Sequence, residues 1–184
     1  IGLNKNIFQS HFLLSSIQTE QLKLDEAKRS LLKTISLKPD LAEAYNNLGA
    51  ILLILGEIEE SLISLLKAIE LNKNLSRAYF SLSIINPSSE INNWQEYLFS
   101  SEILKNQKEK DAIDIYFARA NILHKQKKYD KSSECLKRAN QLKLSLYPSN
   151  SNLLIEKSKV LLEESNNLTL KRSEGFKAED LIFI

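Results

Sequence analysis

The stretch LDEAKRSLLKTISLKPDL, residues 24–41, returns in altered form as IEESLISLLKAIELNKNL, residues 58–75. The identical positions lie 34 residues apart: Leu31, Leu32, Lys33, Ile35, Leu37 and Leu41 return as Leu65, Leu66, Lys67, Ile69, Leu71 and Leu75. Glu26 and Ser30 return in the same way, as Glu60 and Ser64. An offset kept at so many positions indicates an internal repeat.

The residues before each of these stretches keep the same offset. His11 falls on Tyr45, Leu14 on Leu48 and Ser15 on Gly49. The apolar spacing predicts two amphipathic helices per unit, with small residues where the paired helices approach closely. Pro39 is expected to end the second helix of the first unit, and Gly56 to separate the two helices of the second unit.

These residues carry a family resemblance. AEAYNNLGAILLILGEIEESLISLLKAIELN, residues 42–72, resembles a tetratricopeptide repeat through Tyr45-x-x-Leu48-Gly49, Ser61, Leu65 and Ala68. Residues 8–41 resemble it too, with Pro39 at the family's proline site, which Lys73 occupies in the second unit. The resemblance implies an all-α fold, a right-handed superhelical solenoid of helix-turn-helix repeats with a C-terminal capping helix.

A third unit, residues 76–112, follows in degenerate form. Tyr79 and Leu82 keep the offset, but Asn86-Pro87 is expected to cut the first helix short. The second helix is predicted over residues 91–106, with an apolar stripe of Trp94, Tyr97, Leu98 and Leu104.

The pattern is clear again in a fourth unit, residues 113–146. Its key residues lie 71 positions after those of the second unit: Tyr116, Ala120, Leu123, Ser132, Leu136 and Ala139. The third unit therefore carries three extra residues, near Pro87 or Asn106. Arg119 occupies a core leucine position, which predicts either a rotated helix or a solvated edge.

The three to four units account for residues 1–146. Ser149 to Asn152 offer an N-cap for one more amphipathic helix, predicted over residues 149–165 and expected to cover the last unit. Its apolar residues are Leu153, Leu154, Val160, Leu161 and Leu162. Residues 166–184 are predicted to be a linker and the first strand of a missing domain.

Composition excludes several classes of protein. The chain has 26% charged residues, a net charge of +2, 4 Gly and 3 Pro, which favours long helices over an all-β fold. A single cysteine indicates a reducing compartment, and we expect a cytoplasmic protein. No apolar run is long enough to span a bilayer, and no signal peptide is recognisable. The lack of methionine leads us to expect a processed or trimmed piece.

The sequence contains no recognisable catalytic constellation. His11 and His124 lie on different units, and no metal-protease, serine-hydrolase or phosphate-loop motif is present. Cys135 is predicted to be a packing thiol rather than a nucleophile. We therefore expect no catalytic residues, no metal, no cofactor and no enzyme activity in this chain.

In the family that these residues resemble, first helices line a groove that binds peptides. Carried over by position, the resemblance implies these groove residues: Phe12, Ser16, Thr19, Asn46, Ala50, Leu53, Arg77, Phe80, Ile84, Asp114, Phe117, Asn121 and His124. Asn46 and Asn121 are suited to pairing with peptide amides, and Phe80 and Phe117 to gripping apolar side chains. The alternative, for Phe12 and Ile84 especially, is burial between helices. The phenylalanines disfavour a basic clamp of the kind that holds chaperone C-termini.

Residues 124–143 hold seven Lys or Arg residues. They are consistent with a nucleic-acid or phosphate patch, but only Tyr129 offers stacking. We predict a solvated outer face and no nucleic-acid partner.

A second resemblance concerns the C-terminal part. DIYFARANILHKQKKYDKSSECLKRANQLK, residues 114–143, is similar to the last repeat of bacterial proteins that join tetratricopeptide repeats to a sulfotransferase domain. EDLIFI, residues 179–184, resembles the apolar strand that precedes the loop holding the 5′-phosphate of the sulfate donor PAPS. The resemblance implies a recognition array before a sulfotransferase-like domain absent from this chain, with PAPS bound only if that domain follows.

Three alternatives remain open at this stage. The alternative for the residues LIFI at the C-terminus is a tail that folds into the groove or against the last helix, although we favour the strand. The chain is then a free-standing scaffold for assembling other proteins. Self-association through the third unit is the last alternative, with Trp94 and Tyr97 expected to be exposed there.

Overall fold

The computed structural model describes residues 7–85, 93–105 and 107–148, together with residues 156, 158–160, 162 and 163. Within these residues every regular element is an α-helix. The helices up to Leu146 belong to one compact unit, and Tyr147–Ile184 form a second. The first unit contains α1 Ile7–Glu20, α2 Leu24–Leu37, α3 Ala42–Leu55, α4 Ile58–Leu71, α5 Ser76–Ile84, α6 Asn93–Phe99, α7 Glu102–Lys105, α8 Glu109–Lys125 and α9 Tyr129–Leu146.

Helices pair in the order that the repeats predict. α1 packs on α2, α3 on α4 and α8 on α9, while α2 packs on α3 and α4 on α5. Each second helix thus meets the first helix of the following unit, which is the packing of a helical solenoid. The predicted all-α repeat fold is confirmed.

The turn inside a helix pair has the same geometry in three units. Its central residue is in the left-handed region at Leu22 (φ 59°), Gly56 (φ 80°) and Lys127 (φ 59°), which occupy equivalent repeat positions. The next N–H donates to a carbonyl five residues earlier: Lys23 to Gln18 at 2.8 Å, Glu57 to Leu52 at 2.9 Å and Lys128 to Leu123 at 2.9 Å. Helix pairing therefore imposes this helix-ending turn even where the sequence lacks glycine.

We expect Leu22→Gly to stabilise the protein. Leu22 is 81% exposed, so its side chain contributes little packing to offset the left-handed backbone. Removing the strain should raise the free energy of unfolding by about 0.5 to 1 kcal/mol, measured by urea denaturation. Leu22→Ala is the matched control, because it removes the exposed side chain but keeps Cβ. An equal gain in both variants would contradict the explanation.

Paired helices approach most closely at a small residue. The Ser61 Oγ donates to the Gly49 carbonyl at 2.7 Å, and the equivalent Ser132 Oγ donates to the Ala120 carbonyl at 2.9 Å. A Cβ on Gly49 would lie 2.6 Å from the Cγ of Leu65, which is fully buried. Leu136, the counterpart of Leu65, is 39% exposed beside Ala120, which is consistent with room for a methyl group there.

Gly49→Ala should therefore destabilise the fold. Alanine has a helix propensity about 1 kcal/mol more favourable than that of glycine. Overpacking of its Cβ against Leu65 should cost more than this gain. We expect the free energy of unfolding to fall by about 1 to 2 kcal/mol in urea denaturation. In the reverse exchange at the equivalent site, Ala120→Gly should cost about 1 kcal/mol through helix propensity alone. A more stable Gly49→Ala protein would show that this contact is not crowded.

The third unit departs from the predicted helix pair. α5 ends at Ile84, as Asn86-Pro87 predicts, but the single helix expected over residues 91–106 is wrong. α6 and α7 are two short helices separated by Ser100 and Ser101. Both sites proposed for the extra residues lie outside the described part of the chain.

The helix α8 begins at Glu109, inside the segment assigned to the third unit. Two acidic residues in its first turn, Glu109 and Asp111, favour this earlier start because they complement the helix dipole. α8 also packs directly against α5. The first helix of the fourth unit therefore stabilises the shortened unit before it.

Two basic side chains of α8 cap these shortened helices. The Lys125 Nζ donates to the carbonyls of Ser83, Ile84 and Ile85 at 2.8, 3.0 and 2.6 Å, at the end of α5. The Arg119 guanidinium donates to the carbonyls of Leu98 and Ser100, both at 2.8 Å, at the end of α6. Helix ends leave such carbonyls without intrahelical donors. Arg119 is half-buried at the surface, and Ala118 and Ala120 are buried beside it. Because Ala120 keeps its expected contact with Ser132, the helix is not rotated, and Arg119 lies at a partly solvated edge.

The larger buried cluster extends from α4 through α8 and includes Trp94. Trp94 is only 5% exposed, and it packs with Tyr79, Leu82 and Leu98 in that cluster. The exposure of Trp94 that we expected in the third unit is therefore contradicted. Tyr97 is half-buried at the edge of the same cluster.

The second compact unit is described only in part. Residues 156, 158–160, 162 and 163 are helical, within the predicted helix 149–165. Leu153, Leu154 and Leu161 lie outside the described residues, as do residues 166–184 with the predicted linker and strand. The capping role stays a prediction.

Candidate functional site

First helices of the four units share one cavity, which we call the polar cleft. It has a volume of about 560 Å³ and lies where α1, α3, α5 and α8 meet the connection between α4 and α5. The residues that line it are Phe12, Ser16, Glu43, Asn46, Asn47, Asn72, Asn74, Leu75, Ser76, Arg77, Lys110 and Asp111. Predicted groove residues among them are Phe12, Ser16, Asn46 and Arg77.

Asn46 has an unusual place in the polar cleft. Its side chain is 6% exposed, and its Nδ2 donates to the Asn47 Oδ1 at 3.3 Å. Its Oδ1 has no donor in the part of the chain that the structure describes. A buried acceptor without a partner is unfavourable, so this atom favours a ligand that brings an N–H group.

The charged residues of the polar cleft are of both signs. Arg77 and Lys110 lie near Glu43 and Asp111, so no single charge dominates the lining. Behind them the Ser76 Oγ donates to Asp114 Oδ2 at 3.2 Å. Burial raises the pKa of Asp114, and Ser76 and Arg77 oppose this by favouring the carboxylate.

A smaller recess of about 260 Å³ lies along α1 and α3. Its lining includes Ser16, Thr19 and Ala50, with Asn47 and Ile54. Ser16 and Asn47 line both the recess and the polar cleft. Six of the predicted groove residues therefore line one or the other of these two cavities.

Other predicted groove residues join α5 to α8 instead. The Phe80 and Phe117 rings meet edge to face with centroids 6.3 Å apart. The Asn121 Nδ2 donates to the Ser83 Oγ at 3.0 Å, as Asp114 pairs with Ser76. These side chains hold two helices together. A position-by-position transfer of groove residues from other repeats does not predict this role.

The remaining predicted groove residues lie neither in the two cavities nor between α5 and α8. Leu53 packs against the larger buried cluster. Ile84 is exposed at the end of α5, so the alternative of burial between helices is wrong for it. His124 is exposed and its ring meets the edge of Tyr129, with centroids 5.3 Å apart.

Sequence reasoning missed the polar residues of the connections. Asn72 and Asn74 follow α4, and Lys110 and Asp111 begin α8. The asparagine-rich segment LNKNL, residues 71–75, was the available signal. The predicted groove included only first-helix positions, so it left this segment out.

The Cys135 thiol and the basic side chains of residues 124–143 lie in structural or solvent-exposed surroundings. Cys135 is half-buried, and burial raises the pKa of its thiol, which disfavours a reactive thiolate. Of the seven basic residues in 124–143, Lys125 caps α5, and the others are exposed. Among the described residues, no three metal-ligating side chains are grouped as a metal site, and no helix has the length and apolarity to cross a membrane.

The family model described as tetratricopeptide repeat matches residues 42–75 and 113–145. Both matched segments are similar to the tetratricopeptide repeat. The matched tetratricopeptide segments are the second and fourth units, in which Ser61 and Ser132 make equivalent bonds.

Structural similarity extends over more of the chain. A solved structure titled "MamA RS-1 ArsTM double mutant" is similar with a TM-score of 0.49 and 16% sequence identity, covering 79% of this chain and 80% of that one. No curated protein matches the sequence.

We expect Asp114→Asn to stabilise the protein at neutral pH only. Burial raises the pKa of Asp114 above its unfolded value, so ionisation costs stability as the pH rises through the folded pKa. Below the unfolded pKa both states are protonated and the cost vanishes. Asparagine cannot ionise, and its amide oxygen still accepts from Ser76.

The measurement is the urea midpoint of both proteins at about pH 7 and about pH 3. The midpoint of the variant should be higher at the first pH and equal at the second. Asp40→Asn, at an exposed site, is the control. A lower midpoint for Asp114→Asn at neutral pH would show that attraction to Arg77 outweighs burial.

Proposed function

We propose that these tetratricopeptide repeats bind an extended segment of a partner protein in the polar cleft. The unpaired Oδ1 of Asn46 is the observation that carries the proposal, because it lacks the N–H donor that a peptide backbone supplies. The charged residues of the lining, Arg77, Lys110, Glu43 and Asp111, offer partners for polar side chains. Phe12 provides an apolar surface at the same cavity.

A binding role accounts for the site better than catalysis. Among the described residues, no histidine or cysteine lines the polar cleft, and its lining holds both carboxylates and basic side chains. We propose that this chain recognises a partner and performs no reaction itself. A peptide backbone pairs with Asn46 whatever its side chains are, so specificity rests with the charged and aromatic residues around it.

We predict that Asn46→Leu separates binding from stability. Leucine removes the unpaired oxygen, so the free energy of unfolding should stay within about 1 kcal/mol of the original value. Random-sequence peptides displayed on phage are first selected against the full chain. Peptides selected in this way should bind the variant about tenfold more weakly in calorimetry, since a lost hydrogen bond in a buried site is worth about 1.4 kcal/mol.

The matched control is Asn140→Leu, the same exchange at an exposed position of α9. Its affinity for the selected peptides should equal that of the unchanged chain. Equal binding by Asn46→Leu would mean that the peptides do not pair with this side chain, and the proposal would be wrong.

We further propose that the array precedes a sulfotransferase-like domain in a cytoplasmic bacterial protein. The similarity of residues 114–143 and of EDLIFI, residues 179–184, to such proteins supports the proposal. Residues 179–184 lie outside the described residues. PAPS would bind to that domain alone, and the array would present the substrate.

The test is the intact mass of the protein isolated from its native host. A mass well above 21.0 kDa together with PAPS binding supports the attached domain. A mass near 21.0 kDa favours the free-standing scaffold.

A further inference from the structure

A second cavity is lined by residues that do not line the polar cleft. It has a volume of about 320 Å³ and is enclosed by α4, α5 and α6. Three aromatic rings, Tyr79, Trp94 and Tyr97, line it together with Leu66 and Ile69, and Glu70 and Lys73 complete the lining. We call it the aromatic cleft.

Contacts within the protein fix the aromatic rings before any ligand arrives. Tyr79 lies between the other two, with its ring centroid 6.4 Å from that of Trp94 and 6.3 Å from that of Tyr97. The Tyr79 hydroxyl donates to the Lys73 carbonyl at 3.0 Å, and the Tyr97 hydroxyl donates to Asn74 Oδ1 at 3.1 Å. A ligand therefore meets a preorganised surface, which lowers the entropic cost of binding.

The hydrogen-bonding balance of the aromatic cleft is one-sided. Both tyrosine hydroxyl hydrogens are already donated, whereas the buried Nε1–H of Trp94 has no acceptor within the described residues. An indole N–H is a donor only, so a ligand that satisfies it must bring an acceptor. Glu70 already accepts from Lys67 at 2.9 Å. Apart from Glu70 and Lys73, the walls are ring faces and aliphatic chains, which penalise an additional unpaired donor on a ligand.

A peptide bond that precedes proline has the required chemistry. Its carbonyl is an acceptor, its nitrogen carries no hydrogen, and the pyrrolidine ring presents a flat apolar face to aromatic rings. Proline-rich segments are also extended before binding, and aromatic-lined grooves recognise them in other folds. An ordinary peptide bond would bring an N–H into the same apolar surroundings.

We propose that the aromatic cleft binds a proline-containing extended segment of a partner protein, with Trp94 donating to a carbonyl of that segment. The site is separate from the polar cleft, because the two cavities share no lining residue.

The single tryptophan of the chain makes a site-specific experiment possible. Trp94 is the only tryptophan, so intrinsic fluorescence reports on the aromatic cleft alone. The full chain is titrated with an acetylated and amidated oligoproline peptide, and in parallel with a glycine–serine peptide of equal length. We expect a saturable change in Trp94 emission with oligoproline only. No saturable change, or the same curve for both peptides, would overturn the proposal.

Two variants then locate the binding by calorimetry with the same oligoproline peptide. Trp94→Phe keeps a ring but removes the donor, and we expect affinity to fall about three- to tenfold. Leu66→Ala shortens one wall without touching the aromatic rings and should also weaken binding. The matched control on α4 is Ile63→Ala, an exposed position away from the cleft, with unchanged affinity. If Trp94→Phe and Leu66→Ala both bind like the unchanged chain, the proposal is wrong.

Discussion

Close contact between the two helices of a unit is the constraint on which the rest of this structure depends. At Gly49 the backbone of α3 lies against Leu65, and the Ser61 hydroxyl bonds across the pair. Ser132 and Ala120 repeat the bond in the fourth unit. Because this contact fixes how α3 and α4 lie, it also fixes the surface that α4 offers to α5, and so the stacking continues along the chain.

The third unit shows how a solenoid tolerates a damaged repeat. Its first helix is short and its second is broken, so both leave carbonyl groups without helical donors. Lys125 and Arg119 reach back from α8 and supply those donors. The same basic side chains look out of place in a repeat alignment, since one stands at a leucine position. Their role lies in the neighbouring unit.

Function is proposed at two cavities that require opposite hydrogen-bonding groups from a ligand. The polar cleft contains a buried acceptor without a donor, Asn46 Oδ1, and the aromatic cleft a buried donor without an acceptor, Trp94 Nε1. Among the described residues, these are the buried side-chain atoms left without a partner. Since native proteins satisfy nearly all such groups, each is a reason to expect a ligand. One cavity suits a backbone N–H and the other a carbonyl beside proline.

The sequence by itself determined the repeat, the helix pairs and the ends of α2, α3 and α5, because apolar spacing, glycine and proline act locally. It also grouped Asn46 and Arg77 by their repeat positions, and both line the polar cleft. Tertiary structure alone decided the rest. The roles of Arg119, Asn121 and Lys125, the burial of Trp94 and the contribution of Asn72 and Asn74 all depend on which helix lies opposite. The break in the third unit changed those neighbours, and no local pattern records that change.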